Sequence, residues 1–146
     1  MNDISRADWV AHILTYEDVP FQHQGRNPAV GIDCPGPLIL GARHFGIKPA
    51  DFNVDGYLPQ PDGSLQPILD EHLDRKPRAE LALGDVVLNR FRLGKPQHIG
   101  IIVGEAFGQW IMLHASRRHG KAIRERIQYD RGFYQFVQGY NVPGVS

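Results

Sequence analysis

The fold is decided by residues 31–45, which read GIDCPGPLILGARHF. A buried helix is predicted over 38–45, because apolar residues fill that segment and the glycine after it favours a helix end. Proline is tolerated in the first turn of a helix, where the N–H groups have no intrahelical acceptor. A helix capped at Asp33 or Cys34 places both prolines of the stretch in that turn. The sequence therefore predicts a thiol at the start of a buried helix.

Cys34 is the only cysteine among the 146 residues, which excludes an intrachain disulfide framework and a zinc site built from several cysteines. A single free cysteine is most often a small buried side chain. A thiol at a helix start, however, meets the positive end of the helix dipole and free backbone N–H groups, which favour the thiolate. The same N–H groups can bind the oxyanion of an acyl intermediate. Cys34 is therefore a candidate nucleophile, and such a nucleophile needs a base.

The segments around this helix predict a mixed fold. Upstream, Ser5 and Asp8 resemble a capping box at the start of a helix with one apolar face. Pro20 marks the latest point at which this helix can end. Downstream of Gly84 the apolar pattern changes to a period of two, which is typical of strands. Five strands are predicted, at 86–91, 97–103, 109–115, 123–127 and 133–137. Short connections indicate antiparallel meanders, so the fold class is α+β, with N-terminal helices packed on a central antiparallel sheet of about five strands.

Two histidines on adjacent predicted strands offer the base. If Gly104 pairs with Gly108 across the loop between them, His98 lies directly opposite His114, with Cβ atoms about 4.5–5.5 Å apart. Alternation then places both imidazoles on one face of the sheet, and the other face is uniformly apolar and forms the deep core. One imidazole can take the thiol proton while the second holds its tautomer. Each histidine taken alone is more often a half-buried residue with satisfied nitrogens.

Composition and charge limit the class of protein. Sixteen basic and 16 acidic residues give a formal net charge of zero, which argues against a strongly basic nucleic-acid binder. No run of 18 apolar residues occurs, so no membrane-spanning helix is predicted. No apolar signal core follows the first residues, so we expect synthesis in a cytoplasm without a signal peptide. The length fits one domain, 1–146, with a loop-rich excursion at about 47–80 that contains a short helix near 65–73.

Four motifs, in order and at fitting spacings, resemble the NlpC/p60 cell-wall peptidases. They are GIDCPG at 31–36, LGDVV at 83–87, HIGIIVG at 98–104 and LHAS at 113–116. Three further segments are closer still to the phage branch of this superfamily, whose members are cell-wall peptidases or tail-assembly proteins. They are VPFQHQGR at 19–26, YLP at 57–59 and PDG at 61–63. The resemblance covers about residues 8–140.

The resemblance implies a papain-like fold and a cysteine peptidase that hydrolyses peptidoglycan stem peptides through a thioester, usually between D-glutamate and diaminopimelate. Carried over by position, Cys34 is the nucleophile, His98 the general base and His114 the residue that orients the base. The backbone N–H of Cys34 would help to bind the oxyanion. No metal or other cofactor is implied, and the alternative zinc site formed by these three side chains with His119 lacks the closely spaced ligand pairs of zinc motifs.

The resemblance to the phage branch also implies where the protein is located and which partners it has. It implies location on a virion tail, action in the host periplasm or cell wall, and other phage tail-tip proteins as partners beside the peptidoglycan stem peptide. Four further residues are candidates for binding that peptide: Asp33, His23, Arg26 and Arg117. Arg117 belongs to a basic cluster after the third strand, which can bind the carboxylates of a stem peptide or an anionic glycan. A solvated turn is the commoner role of such a cluster.

Three positions depart from the family pattern. Pro35 stands where the family usually has serine, Pro37 where it has leucine, and Phe21 where it often has a tyrosine whose hydroxyl lies near the thiol. Phenylalanine cannot donate that hydrogen bond. These departures favour an alternative, a phage tail-tip or tail-assembly protein that keeps the fold with little or no activity. An amidase of the related cysteine–histidine type and a cytoplasmic murein-recycling enzyme stay open as narrower options.

Overall fold

The structure, a computed structural model, describes residues 3–92 and 94–146. Within these ranges the helices are α1 (Arg6–Leu14), α2 (Gly36–His44) and α3 (Leu65–His72), with a short 3-10 helix at Arg78–Glu80. The strands are β1 (Arg26–Asn27), β2 (Gly31–Ile32), β3 (Asp74–Lys76), β4 (Val86–Phe91), β5 (Pro96–Ala106), β6 (Gln109–Ser116), β7 (Lys121–Arg126) and β8 (Tyr134–Asn141). Of the domain predicted over 1–146, Met1, Asn2 and Leu93 lie outside the described residues. None of the described helices is long and apolar enough to span a membrane.

The two N-terminal helices pack against each other and on the sheet. Ser5 caps α1 by accepting a hydrogen bond from the backbone N–H of Asp8 at 3.1 Å, which confirms the predicted cap. Trp9 and Ile13 of α1 are fully buried. Trp9 lies over Gly41 of α2, where a Cβ would come within 3.0 Å of the indole. The missing Cβ allows this close approach and keeps α2, and with it the cysteine turn, near the sheet.

Helix α2 begins two residues after Cys34. Pro35 is its N-cap residue, with no side-chain capping bond, so the predicted cap at Asp33 or Cys34 is wrong. The cause is a turn over 33–36, closed by a 2.9 Å hydrogen bond from the Gly36 N–H to the Asp33 carbonyl oxygen. The Asp33 carboxylate is bound by other groups and does not cap the helix. The thiol therefore lies in a turn just outside the helix.

Six described strands form one antiparallel sheet in the order β3–β8–β4–β5–β6–β7, and β1 pairs with β2 in a separate ladder. The five strands predicted from the sequence are present. The sixth, β3, is a three-residue polar segment in which alternation carries no signal. The predicted meander holds from β4 to β7 but is wrong for β8, which passes back to lie between β3 and β4. The predicted α+β class, with helices packed on a central antiparallel sheet, is confirmed.

The hairpin between β5 and β6 turns at Phe107 and Gly108. Both have positive φ values, 52° and 74°, as in a type I′ turn. Ala106 therefore pairs with Gln109, and the predicted pairing of Gly104 with Gly108 is wrong. A positive φ is unusual for a large side chain such as that of Phe107, so the sequence pattern did not indicate a two-residue turn.

A β-bulge in β5 then shifts the register by one residue. Val103 has no partner, and beyond it Ile101 pairs with Leu113. Residues paired across an antiparallel ladder share a face, so a ladder continued from the turn without the bulge would place His98 and His114 on opposite faces. With the bulge they share one face, as predicted, and their rings are in contact. They are diagonal neighbours, however, and the predicted directly opposite position is wrong.

Two cores lie on the two faces of the sheet. The larger lies under the helices and includes Ile99, Ile101 and Leu113, which confirms the predicted deep-core face. The smaller includes Ile102 and Met112, on the face that also carries the two histidines. The histidines therefore lie beside apolar side chains, a setting that disfavours charge on His98.

Candidate active site

The three predicted catalytic residues meet in one place. Cys34 and His98 line a cavity of about 270 Å³, here called the thiol cavity, and His114 is fully buried against His98. The turn before α2 supplies the thiol, β5 supplies His98 and β6 supplies His114. A second cavity of about 290 Å³ is lined mainly by apolar side chains of α2, α3 and the C-terminal segment, and it contains none of the three. The site chemistry therefore belongs to the thiol cavity.

The Cys34 thiol is half-buried, and its Sγ lies 3.8 Å from the carbonyl oxygen of Gln97, the residue before His98. Burial raises the pKa of this thiol, and the nearby Asp33 carboxylate raises it further. A thiol at the positive end of a helix dipole would have the opposite shift, which is what the sequence predicted. The difference arises because the thiol lies outside α2 and is partly withdrawn from water. The resting residue is therefore a neutral thiol that needs a base to become a nucleophile.

His98 and His114 form the pair that supplies the base. Their rings meet at 84°, and 2.6 Å separates His98 Nε2 from His114 Nδ1. Burial lowers the pKa of His98 well below its ordinary value, and His114 lowers it further. His98 is thus neutral at pH 7. Because its Nε2 is bonded to His114, Nδ1 is the nitrogen left to accept the proton of Cys34.

Tyr134 of β8 stacks on the His98 ring, with ring centroids 4.1 Å apart and planes 21° from parallel. Its hydroxyl lies 2.7 Å from Ser116 Oγ, which in turn lies 2.8 Å from His119 Nδ1. The stack holds the plane of the His98 ring, so Tyr134 belongs to the site. Tyr134 was not among the site residues predicted from the sequence. Its contact with the histidine depends on the pairing of Phe91 with Tyr134, which local sequence does not reveal.

Glu125 of β7 is a second site residue that sequence analysis missed. Its Oε1 lies 2.9 Å from His114 Nε2, the ring nitrogen that does not face His98. The ladder pairs Glu125 with Met112, which lies two residues before His114 on the same face. Contact with His114 lowers the pKa of Glu125, which is therefore a carboxylate at neutral pH. Alternation along β7 could have indicated an inward-facing glutamate, but only the register between β6 and β7 identifies its partner.

Asp33 and Arg26, two of the predicted substrate-binding residues, bind each other. The Asp33 carboxylate is buried and accepts a 2.7 Å hydrogen bond from Arg26 Nη1. It also accepts hydrogen bonds from the Gln24 backbone N–H at 2.7 Å and from the Tyr57 hydroxyl. Arg26 in turn donates to the Tyr57 hydroxyl and to the Val54 carbonyl oxygen. These contacts, here called the anchor network, tie the loop-rich excursion to the turn that carries the thiol.

The other two predicted substrate-binding residues, His23 and Arg117, both line the thiol cavity, as does Asp33. His23 Nδ1 lies 4.0 Å from Asp33 Oδ2, and Arg117 is exposed. Arg26 does not line the cavity, but it donates a hydrogen bond to Asp33, which does. Phe21, which stands where the family often has tyrosine, is part of the lining. Within residues 3–92 and 94–146, no group of three or more His, Cys, Asp or Glu side chains could hold a metal ion.

The arrangement of helices, strands and site is similar to solved structures of NlpC/p60 proteins. The NlpC/p60 domain of the peptidoglycan hydrolase SagA superposes with a TM-score of 0.65 at 17% identity, over 95% of this chain and 100% of that structure. The chain has the NlpC/p60 fold. An NlpC/p60 family protein from Bacillus cereus matches this fold with a TM-score of 0.68 at 13% identity, over 96% of this chain.

The NlpC/p60 fold is also shared with a protein of a different name. An N-acetylmuramoyl-L-alanine amidase from Bacteroides uniformis matches with a TM-score of 0.58 at 12% identity, over 94% of this chain and 98% of that structure. The chain spans only 41% of the Bacillus cereus protein. No family model matches the amino-acid sequence, and neither does any curated protein sequence. The comparisons thus confirm the predicted NlpC-type fold, while the phage branch stays a prediction.

Proposed function

We propose that this chain is a cell-wall peptidase, a cysteine endopeptidase that hydrolyses peptidoglycan stem peptides. The observation that carries the proposal is the His98–His114 pair, which holds a neutral imidazole in the same cavity as the chain's one thiol. A neutral base beside a neutral thiol is the starting state for general-base activation of sulfur. The likeness to the SagA peptidoglycan hydrolase domain supports the substrate class.

The first half-reaction forms a thioester. His98 Nδ1 takes the proton of Cys34 while Sγ attacks the carbonyl carbon of the scissile amide. The backbone N–H of Cys34 donates to no backbone carbonyl within the described ranges, so it is free to bind the oxyanion. When the C–N bond breaks, His98 returns the proton to the departing amine and the acyl group stays on sulfur.

The second half-reaction releases the acyl group. His98 takes a proton from water, and the water oxygen attacks the thioester carbon. The C–S bond breaks, the product leaves as a carboxylic acid, and the sulfur recovers its proton from His98. Water is the one co-reactant, and His98 acts as base and then as acid in each half.

The charges at the thiol cavity suit a peptide with free carboxylates. Arg117 and Arg118 line the cavity, and neither lies within ion-pair distance of a carboxylate in the described residues. Guanidinium groups bind carboxylates through paired hydrogen bonds. The D-glutamyl–diaminopimelate bond has carboxylates on both sides, and we assign it as the preferred bond. Asp33 and His23, which line the same cavity, are assigned to substrate contact.

The proposed setting is a virion tail, with other phage tail-tip proteins as partners and the host cell wall as the place of action. The support is the resemblance of the phage-type segments 19–26 and 57–63. These segments bear on the site, because Leu58 and Pro59 line the thiol cavity together with Phe21.

Hydrolysis of purified peptidoglycan, and of a γ-D-glutamyl-diaminopimelate peptide, tests the proposal. We expect the wild type to release new amino groups, Cys34→Ala to release none, and His98→Ala to be at least about 10²-fold slower. Absence of turnover by the wild type, or equal turnover by Cys34→Ala, would contradict the proposal. An inactive wild type would favour the alternative, a tail-tip protein that keeps the fold, to which Pro35 and Phe21 also point.

An amidase is the second candidate, because an N-acetylmuramoyl-L-alanine amidase shares this fold over 94% of the chain. The two activities cut different bonds of the same polymer. Mass spectrometry of the products separates them: an endopeptidase leaves L-alanyl-D-glutamate on the glycan, whereas an amidase removes the whole stem peptide.

A further inference from the structure

Glu125 is the last of three side chains in contact, after His98 and His114, that lead away from the thiol cavity. The inference drawn from these contacts rests on the proposed function. Glu125 is one-third exposed, and its Oε1 lies 2.9 Å from Nε2 of the fully buried His114. The ring N–H does not point straight at Oε1, so the contact is bent. Within the described residues, His114 Nε2 makes no well-aligned hydrogen bond. Glu125 Oε1 is an acceptor that lies at hydrogen-bond distance from that nitrogen.

The positions of the protons follow from this contact. A carboxylate only accepts hydrogen bonds, so its contact with Nε2 favours the His114 tautomer that carries a proton on that nitrogen. A neutral His114 then has an unprotonated Nδ1, which accepts the Nε2–H of His98 across 2.6 Å. A neutral His98 with its proton on Nε2 has an unprotonated Nδ1. That nitrogen is the one left to take the proton of Cys34.

The geometry points to Glu125 as a positioning residue of the reaction, which sets the tautomers of His114 and His98 and stabilises the imidazolium that forms on them. Glu125 is not part of the lining of the thiol cavity. Without its carboxylate, His114 can carry its proton on Nδ1 instead. His98 Nε2 would then have to accept a hydrogen bond, and the His98 proton would move to Nδ1, where it blocks transfer from sulfur. Loss of the carboxylate therefore populates an inactive tautomer.

The charged groups around Glu125 keep it ionised. Glu125 lines a polar cavity of about 390 Å³ that adjoins the thiol cavity, and Tyr134 is part of the wall between them. The titratable and charged groups facing Glu125 are His114 of β6, Arg118 and His119 of the next turn, Arg92 after β4, Arg126 of β7 and Tyr134 of β8. His114 lowers the pKa of Glu125 most, and His119 and Arg118 act in the same direction.

Alkylation of Cys34 by iodoacetamide, followed across about pH 4 to 9, tests this role without any peptidoglycan. In the wild type we expect the rate to rise in a step below pH 6.5, where His98 loses its proton, and then to level off. In Glu125→Gln we expect the plateau rate to fall about tenfold, because less thiolate–imidazolium pair forms. The midpoint of the step should also move to lower pH, because the imidazolium has lost its anion.

Glu105→Gln is the matched control, since it makes the same change at an exposed position of β5 away from the histidines. We expect it to leave both the plateau and the midpoint unchanged. Nitrogen-15 NMR of the imidazole rings is the second readout, and it should show His114 protonated on Nε2 in the wild type. Equal thermal unfolding midpoints of the two variants would exclude a purely structural effect.

Two results would overturn the inference: an alkylation profile of Glu125→Gln that matches Glu105→Gln, or wild-type His114 protonated on Nδ1. Neither measurement depends on turnover of peptidoglycan. A wild type that shows the pH step and the Nε2 tautomer but hydrolyses no stem peptide would contradict the proposed function and leave the role of Glu125 supported.

Discussion

At Cys34 two electrostatic effects oppose each other. Burial and the Asp33 carboxylate favour the neutral thiol, whereas backbone N–H groups and the Arg26 guanidinium favour the thiolate. His98 is itself buried, and its lowered pKa shows that it does not hold charge in the resting pair. The pair therefore rests as thiol and imidazole, and in the proposed reaction charge separates when sulfur adds to a carbonyl carbon.

The pH dependence of kcat/KM follows from the lowered pKa of His98. The base works only when neutral, so activity should fall as the pH drops through the folded-state pKa of His98, which lies below 6.5. We expect the acid limb to lie below the pH at which a free imidazole titrates. Initial rates on the stem peptide across about pH 4 to 8 measure it. An acid limb centred above pH 6.5 would show that His98 is not the buried neutral base assigned here.

At the scale of elements, the β5–β6 hairpin determines whether the two histidines can meet. Its turn and its bulge act together, because the turn at Phe107 and Gly108 sets one register and the bulge at Val103 shifts it by one residue. The same one-residue register shift pairs apolar core residues of β5 and β6 with each other, such as Ile101 with Leu113. The site and the core therefore depend on one irregularity in one strand.

The turn of this hairpin offers a stability prediction. Phe107 is fully exposed and has a φ of 52°, a backbone conformation that costs most side chains about 1–2 kcal/mol. Asparagine tolerates that conformation, so Phe107→Asn should raise the free energy of unfolding by about 1 kcal/mol. Urea denaturation measures the change. Phe107→Leu retains the strain and should bring no gain; an equal gain in both variants would mean that the exposed aromatic ring, and not the backbone, is unfavourable.

Disruption of the anchor network should change the free energy of unfolding more than the substitution of Phe107 does. Arg26→Ala leaves the buried Asp33 carboxylate without its cation, so the free energy of unfolding should fall by about 3–5 kcal/mol. Proteolysis within 47–64 should also become faster, because Arg26 holds that segment through Val54 and Tyr57. Urea denaturation and limited proteolysis measure the two effects.

The control for this variant is Arg75→Ala, which removes the exposed ion pair with Asp70 and should change stability little. If Arg26→Ala unfolds at the same urea concentration as the wild type, the anchor network is not what secures the excursion.

For the whole molecule, the elements were easier to predict than the contacts between them. Apolar alternation and the placement of glycine and proline indicated the long strands, the three helices and a shared face for His98 and His114. The register was not predictable, because a bulge and a positive φ leave no mark in an apolar pattern. Tyr134 and Glu125 were missed for a related reason: each reaches a histidine through strand pairing that local sequence does not specify.

The stability of the whole molecule should decrease as the pH falls below 6.5. Burial lowers the folded-state pKa values of His98 and His12, whereas in the unfolded chain both titrate near 6.5. Below that pH the unfolded state binds more protons than the folded state, so the free energy of unfolding falls with the pH. The pKa of Glu125 lies below 4.5, so loss of its charge comes at lower pH.

Thermal unfolding at about pH 7 and pH 5 measures this dependence. We expect a lower midpoint at the acid pH, and a smaller difference between the two in His98→Asn, which removes one of the two histidines. A wild-type midpoint that is equal at both values would contradict the assignment of buried, neutral histidines.

The protonated state of the half-buried Cys34 also bears on how long the molecule lasts. Oxidation of cysteine to sulfenic acid starts from the thiolate, so peroxide attacks a protonated sulfur slowly. Outside a cytoplasm no glutathione or thioredoxin repairs such damage. A hydrolase stored in that environment would keep its single sulfur intact through long idle periods, and it would expose the reactive form to oxidants only during turnover.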